Sequence, residues 1–338
     1  LRPNPMQHIL QFAAGYVPSA ALWIATELNI ADLLRDGAKS VSDLAKTTHT
    51  NEDALYRILR LLAMVGIFDE TRPRQFAHTP ASELLRSDAP DSMRDTVIWI
   101  ADPFHFNIAG ELLHSVRTGQ PTIEHVTGKP VFEYFPTNAL EFDRFHKAMT
   151  NLSAMAIGPV LDSYDFSSFQ TVVDVAGGHA FILCSILQKY PQMEGILFDL
   201  EGVVPGAEQR IAQLGLANRC HTESGDFFKA VPNGGDLYVM KSIIHDWDDD
   251  RAVAILRNCG RALQGKRNGM IILLEFVVPP GNQPHPSKII DIEMLMFPGG
   301  RERTADEYSQ LFSKAGLRLT RIIPTKSPFS VIEGQVAS

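Results

Sequence analysis

Through roughly the first hundred residues, apolar positions recur with the three-to-four-residue period of amphipathic helices. In "TNEDALYRILRLLAMVG", Ala54, Leu55, Ile58, Leu59, Leu62 and Val65 fall on one helical face. Thr50, with Asp53 three residues later, has the form of a capping box, and Gly66 ends the run. "SVSDLAKTT" just before it has the same kind of start, and "GIFDETRPRQFAHT" after it alternates like a hairpin. Two short helices followed by a hairpin predict a winged helix-turn-helix. Earlier still, "FAAGYVPSAALWIATELNI" is interrupted by Pro18 and Glu27, so it reads as a buried helix and not as a membrane span.

Residues 105–160 predict further helices, among them "EFDRFHKAMTNLSAMA", and "DSYDFSSFQ" reads as a polar, aromatic linker. From Thr171 the texture changes. "TVVDVAG", "GILFDL", "DLYVMKSIIH", "GMIILLEFVV", "LRLTRIIPT" and "FSVIEGQ" read as strands, with another strand ending at "GDFF". "AEQRIAQLGL", "RAVAILRNCGRAL" and "ADEYSQLFSKAG" read as helices between them. Such alternation predicts an α/β fold with a mainly parallel sheet covered on both faces.

At 338 residues, two domains are the natural expectation, and a hydrophobic share of 45% is enough for a sizeable core. A net charge of −8 argues against a broad nucleic-acid footprint and against binding to anionic membranes. The recognition helix of the winged motif carries Arg57 and Arg60 but also Glu52 and Asp53, so a structural role is expected for it. Cys184, Cys220 and Cys259 lack CxxC spacing and cannot all pair, which fits a reducing cytoplasm. No signal-peptide pattern opens the chain.

Ligands of open α/β sheets bind outside the carboxyl ends of the strands, so the chemistry is sought there. The first strand ends in "DVAGGHA", where Asp174, Gly177 and Gly178 form a tight turn that either approaches a ligand or only turns the chain. Asp199, ending the second strand, suits a ribose or a helix N-cap. Asp226 can accept from an adenine amine while Phe227 covers the ring; otherwise they are a turn acid and a core aromatic. In "KSIIHDWDDD", strand alternation puts Lys241, Ile243 and His245 on one side. His245 is a base of near-ordinary pKa or a histidine satisfied by a backbone carbonyl. Glu275, in an apolar strand, needs a partner. Either it or Glu302, in the turn "PGGRERT", can orient the imidazole, although Glu302 also suits a solvated turn.

The ordered set "VVDVAGG", "FDL", "GDFF", "KSIIHDW", "LLEFVVP" and "PGGRERT" resembles the small-molecule O-methyltransferases, the plant caffeic-acid type and its bacterial relatives. The resemblance implies S-adenosylmethionine as cofactor and a Rossmann-like, seven-stranded, mainly parallel sheet. A mostly helical winged-helix dimerisation domain would precede it, and the chain would form a homodimer. Residues 1–105 would be that domain, 106–165 a helical connector contributing to the substrate pocket, and 166–338 the cofactor-binding domain. Ala176, Gly177 and Gly178 would line the cofactor's amino-acid end, and Asp174 would also bind the cofactor. Asp199 would hold the ribose, Asp226 and Phe227 the adenine, and Lys241 a polar end of the cofactor, with Leu200 also among the cofactor-binding residues. His245 would be the catalytic base, flanked by Glu275 and Glu302, with no metal. Two departures stand out: Ala176 and Ala180 occupy positions where the family usually has glycine, and Glu201 replaces a usual proline. Alanine resists positive φ at a cost of about 1 kcal/mol.

The expected reaction is methyl transfer to a hydroxyl, phenolic by preference, of a small aromatic metabolite. Trp99, Phe104, Phe106, Phe145, Met149, Met155, Met294 and Phe297 would be walls for a flat acceptor, or core and dimer packing. Two alternatives stand beside this: a relative that binds the same cofactor for decarboxylation or hydroxylation, and a winged-helix regulator that senses a ligand.

Overall fold

The computed structural model describes residues 4–337 and divides the chain into two units, residues 1–111 with 135–152 and residues 112–134 with 153–338. The segment 106–165, expected as one connector, is split between them.

In the first unit, strands β1 (Lys39–Ser40), β2 (Phe68–Arg72) and β3 (Gln75–His78) form an antiparallel sheet in the order β1-β3-β2. Helices Val41–Thr48 and Glu52–Met64 pack with it around Leu44, Leu55, Leu59, Leu62, Phe68 and Phe76. Each such side chain contributes on the order of 1.5–3 kcal/mol by leaving water. This is the winged helix of the sequence pattern. Ser40 caps its helix as expected, but the second helix is capped by Asn51, whose side chain accepts from the Ala54 amide at 2.9 Å. Thr50 turns its hydroxyl to that of Thr48 instead.

The expected buried N-terminal helix is two helices, Pro5–Ala13 and Tyr16–Glu27, bent by 46°. Pro18 lies in the first turn of the second helix, where its missing N–H costs nothing, so it marks a start instead of an interruption. The first helix buries none of its side chains: Met6, Ile9, Leu10 and Phe12 are all exposed. Among the described residues no single helix is long and apolar enough to cross a membrane; only this bent pair passes jointly, by length and composition.

The second unit contains β4 (Thr171–Val175), β5 (Glu194–Asp199), β6 (Cys220–Ser224), β7 (Leu237–Lys241), β8 (Met270–Glu275), β9 (Leu317–Pro324) and β10 (Ser330–Val336). They form one seven-stranded sheet in the order β6-β5-β4-β7-β8-β10-β9. β4 to β8 are parallel, while β10 runs antiparallel to both β8 and β9. Alternate strand residues feed two cores. Val172, Leu197, Leu237 and Ile272 face one side, and Val173, Ile196, Tyr238 and Ile271 the other. The supposed linker after residue 162 is part of the first of these cores, with Tyr164, Phe166 and Phe169 buried in it. Strand alternation also stops earlier than its pattern suggested, since β7 ends at Lys241 and β8 at Glu275. The chain leaves β4 for β5 on one side and later returns to β7 on the other. The crevice between β4 and β7 is therefore the topological switch point, where sheets of this kind bind ligands.

Candidate active site

The turn after β4 is made largely of backbone. Ala176, Gly178 and Ala180 all adopt left-handed φ, at 57°, 58° and 60°. Both alanines therefore occupy conformations that favour glycine. Gly177 is required for another reason, because a Cβ there would lie 2.3 Å from Asp174 Oδ2. Asp199, ending β5, accepts from the Gly178 amide at 2.8 Å and from the Leu200 amide at 2.7 Å. It fastens the turn and leaves further lone pairs on its carboxylate for a ligand. Asp174 is buried, and its Oδ2 has no hydrogen-bond partner among the described residues. Burial, with the Asp199 charge beside it, raises its carboxyl to about 7. Asp226 follows β6, accepts from the Phe228 amide and keeps a half-exposed carboxylate, while Phe227 packs against the second core. Leu200 is largely exposed next to Asp199. Lys241 ends β7, with its ammonium 5.7 Å from the Phe329 ring. Burial lowers its pKa to about 8 against the opposing charges of Glu275, Asp174 and Asp246.

His245 is not on the strand. Ser242 takes a φ of 52°, and Ile244–Asp246 form a single 3-10 turn, so alternation from Lys241 does not reach it. Its position comes from elsewhere in the fold. Glu275 Oε1 accepts from the amides of Ile243 at 3.0 Å and Ile244 at 2.9 Å. That is the partner a carboxylate in an apolar strand requires. Glu302, far from being a solvated turn residue, is buried, and its Oε1 lies 2.7 Å from His245 Nδ1. A carboxylate only accepts, so Nδ1 carries the proton and donates. Glu275 Oε2 stands 3.6 Å from the same nitrogen, and Asp246 Oδ1 stands 3.6 Å from Nε2.

Three carboxyls thus surround one imidazole. Burial alone would lower the histidine pKa; the Glu275 charge, the Glu302 hydrogen bond and Asp246 outweigh it and raise the value to about 10. The near-ordinary pKa expected from sequence is replaced by a ring held protonated at neutral pH. Burial raises Glu275 to about 7 and Asp246 to about 6, each opposed by the imidazolium. The nearest donor atoms of His245, Glu275 and Glu302 lie within 4.8 Å of one another, a grouping a metal ion could use. The 2.7 Å contact, however, is the length of a charge-assisted hydrogen bond, and two ligands of one metal stand farther apart, at about 3 Å or more.

The expected acceptor walls fall in both units. In the first, the Trp99 ring lies 6.5 Å from Phe104 and 5.6 Å from Phe145, beside Phe135. Phe106 and Met149 are half-buried in the same unit. In the second, Met294 is half-buried on helix Ser287–Met296, Phe297 follows it and is buried, and Met155 is exposed. The sequence reading missed Phe132, which stacks on Trp247 at 5.5 Å, two residues from His245. It also missed Arg303, whose burial no local pattern announces.

The family model for an O-methyltransferase domain matches residues 110–318, and that for an O-methyltransferase dimerisation domain matches residues 10–88. The chain belongs to the O-methyltransferase family. Phenazine O-methyltransferase PhzM of Lysobacter antibioticus is 40% identical, covering 97% of this chain and 95% of that protein. The solved structure of LaPhzM superposes with a TM-score of 0.91 at 38% identity, covering 99% of this chain and 100% of the other. Aclacinomycin 10-hydroxylase RdmB of Streptomyces purpurascens is 33% identical over 92% of this chain and 84% of that protein. Solved relatives hold S-adenosylmethionine or S-adenosylhomocysteine. This O-methyltransferase is an S-adenosylmethionine-dependent enzyme. Its residues suit that cofactor: the switch point presents the unpartnered Asp174 oxygen, a turn that rejects a side chain at Gly177, and spare Asp199 lone pairs.

Proposed function

We propose that this O-methyltransferase methylates a hydroxyl of a small, flat aromatic metabolite, with His245 as general base and Glu275 and Glu302 as its supports. The observation that carries the reading is the 2.7 Å contact between His245 Nδ1 and Glu302 Oε1, which keeps a proton on Nδ1 and leaves Nε2 as the nitrogen that takes up a proton when the ring is neutral. The names of relatives acting on phenazine, mitomycin and aminohydroxybenzoate support an aromatic acceptor. Met294, Phe297 and Phe132 of the second unit are its proposed walls.

When bound, S-adenosylmethionine supplies a methyl group already activated as a sulfonium. Asp174, Ala176, Gly177 and Gly178 would hold its amino-acid end, Asp199 and Leu200 its ribose, Asp226 and Phe227 its adenine, and Lys241 a polar end. The remaining task is to place the acceptor oxygen in line and remove its proton, and holding the two reactants together supplies effective molarity. Nε2 would take the acceptor's proton when the methyl exchanges its bond to the sulfonium sulfur, which leaves as a neutral thioether, for one to the acceptor oxygen, and Glu302 and Glu275 would balance the resulting imidazolium. A phenol with a pKa of about 10 faces a base whose conjugate acid is also at about 10, so the transfer is nearly thermoneutral. The cost is that only about one ring in a thousand is neutral at pH 7.

The N-terminal domain would make the enzyme a homodimer: its family match and the apolar exposed face of helix Pro5–Ala13 support this. No nucleic-acid or membrane partner is proposed. Three buried, unpaired cysteines fit a cytoplasmic enzyme. The test is incubation with S-adenosylmethionine and a panel of phenols, catechols and hydroxyphenazines, read by mass spectrometry. Gain of a methyl group on a hydroxyl supports the proposal. Gain of an oxygen atom, the outcome suggested by the hydroxylase relative, would replace it, and no product from any acceptor would refute it.

A further inference from the structure

Four consecutive residues, Gly300 to Arg303, each meet the turn that carries His245. A Cβ on Gly300 would lie 2.0 Å from the His245 carbonyl oxygen, so only glycine permits this approach. The Arg301 amide donates to that same carbonyl at 2.8 Å. Glu302 holds the imidazole, and its own amide is held by Asp291 Oδ1 at 2.8 Å. Arg303 is 1% exposed, the largest fully buried side chain among the described residues. Its Nη1 donates to the Ile244 carbonyl at 3.1 Å and its Nη2 to the Trp247 carbonyl at 2.9 Å, one on each side of His245. Asp249 Oδ1 accepts from Nε at 3.1 Å and from Nη2 at 2.9 Å, which compensates the buried charge. The Arg303 backbone also pairs with Val277, two residues past Glu275, and its carbonyl accepts from the Val278 amide at 2.9 Å. Arg303 therefore ties together the segments that supply the histidine and both of its acids, its guanidinium holding the histidine turn and its backbone holding the segment after Glu275.

We propose that Arg303 is the positioning residue of this site: its fork fixes the 244–247 turn so that the imidazole stays in register with Glu302 and Glu275. The proposal rests on the reading of His245 as the base. A planar fork that reaches two carbonyls and a carboxylate at once is a task for arginine and not for lysine, which offers one point charge on a flexible stem. Loosening the turn should lengthen the His245–Glu302 contact. The groups facing the ring are Glu275, Glu302 and Asp246, with Lys241 beside Asp246 and Tyr308 beside the two glutamates. None of these is removed by substituting Arg303, and loss of its own positive charge in Arg303→Gln would raise the ring pKa, so a fall in the titration of His245 would report geometry.

The test compares wild type, Arg303→Gln and Arg303→Lys, each as the S-adenosylhomocysteine complex, with folding checked by circular dichroism. The His245 ring is titrated by NMR, which needs no acceptor. Both variants should keep S-adenosylhomocysteine affinity within about twofold while the ring pKa falls by roughly one unit or more toward the ordinary histidine value. With an acceptor that wild type methylates, kcat should drop about 10–100-fold in Arg303→Gln and less in Arg303→Lys, at nearly unchanged KM for the cofactor. A folded variant with the wild-type titration and kcat overturns the proposal. So does failure of both variants to fold, which would make Arg303 a determinant of the fold and not of the turn. Should wild type bind S-adenosylhomocysteine but methylate nothing, the function reading fails while the titration still decides the role of Arg303.

Discussion

The two turns that follow β4 and β7 stand side by side at the same edge of the sheet, and they are built by opposite means. The turn after β4 is local. Its left-handed residues and its close-packed glycine lie within residues 176–180, and a single acid from the neighbouring strand fastens it. The turn after β7 is almost wholly non-local. Its amides are held by Glu275, its ring by Glu302, and its carbonyls by Arg301 and Arg303. A backbone cradle suits a ligand recognised by hydrogen bonds at fixed positions. A side-chain cage suits a group whose charge changes during the reaction, because its acids can set the pKa. The two should therefore fail differently when perturbed: damage to the first should appear in cofactor affinity, and damage to the second in turnover.

The widest separation is expected from His245→Ala. Loss of positioned base catalysis should lower kcat by about 10²–10⁴-fold, while calorimetric affinity for S-adenosylhomocysteine stays within about twofold. Retention of wild-type turnover would reduce His245 to the end of a turn.

Next is the dependence on pH. As the proposed base, His245 acts as the neutral ring, and its pKa is raised to about 10, so the wild-type rate should climb with pH across neutrality and level off only near that value. Glu302→Gln removes a negative charge that favours the protonated ring, so its limb should move to lower pH. Its plateau should also fall, roughly tenfold or more, because orientation is lost. A wild-type profile flat above pH 7 would contradict the caged, protonated ring.

Asp199→Ala should show the reverse behaviour. Removing the acceptor of the Gly178 and Leu200 amides leaves two donors unpaired, worth about 1–3 kcal/mol. Affinity for S-adenosylhomocysteine should weaken about 5–100-fold, with kcat at saturating cofactor little changed. A fall in kcat alone would blur the division between the turns.

The smallest effect is expected from Ala176→Gly. At a φ of 57° glycine relieves strain of about 1 kcal/mol, partly offset by its greater freedom when unfolded. A slight rise in thermal midpoint or an affinity up to a few-fold tighter is expected, measured by calorimetry. A clear loss of both would show that the alanine methyl contributes packing that outweighs the strain.

The same contrast explains what could be read before folding. Strand–helix alternation after Thr171 determined the parallel sheet, because a strand covered on both faces must be apolar along its length. The glycine turn and the acids at strand ends were legible for the same local reason. Periodicity likewise announced the helices of the winged motif. It did not locate the cap at Asn51, since Thr50 and Asn51 offer nearly the same chemistry and only the chain path chooses between them. The N-terminal apolar stretch could not declare that its first helix lies open, because hydrophobicity states a need for burial and not what will cover it. Tertiary structure alone decided the site's chemistry. Glu302 sits between two arginines in a turn, the sequence context of a solvated residue, and lies 57 positions from the histidine it binds. Arg303 reads as surface charge until the carbonyls of Ile244 and Trp247 are brought to it. The raised pKa of His245 follows from that convergence, because buried charges act at distances the fold sets and a chain of residues does not contain.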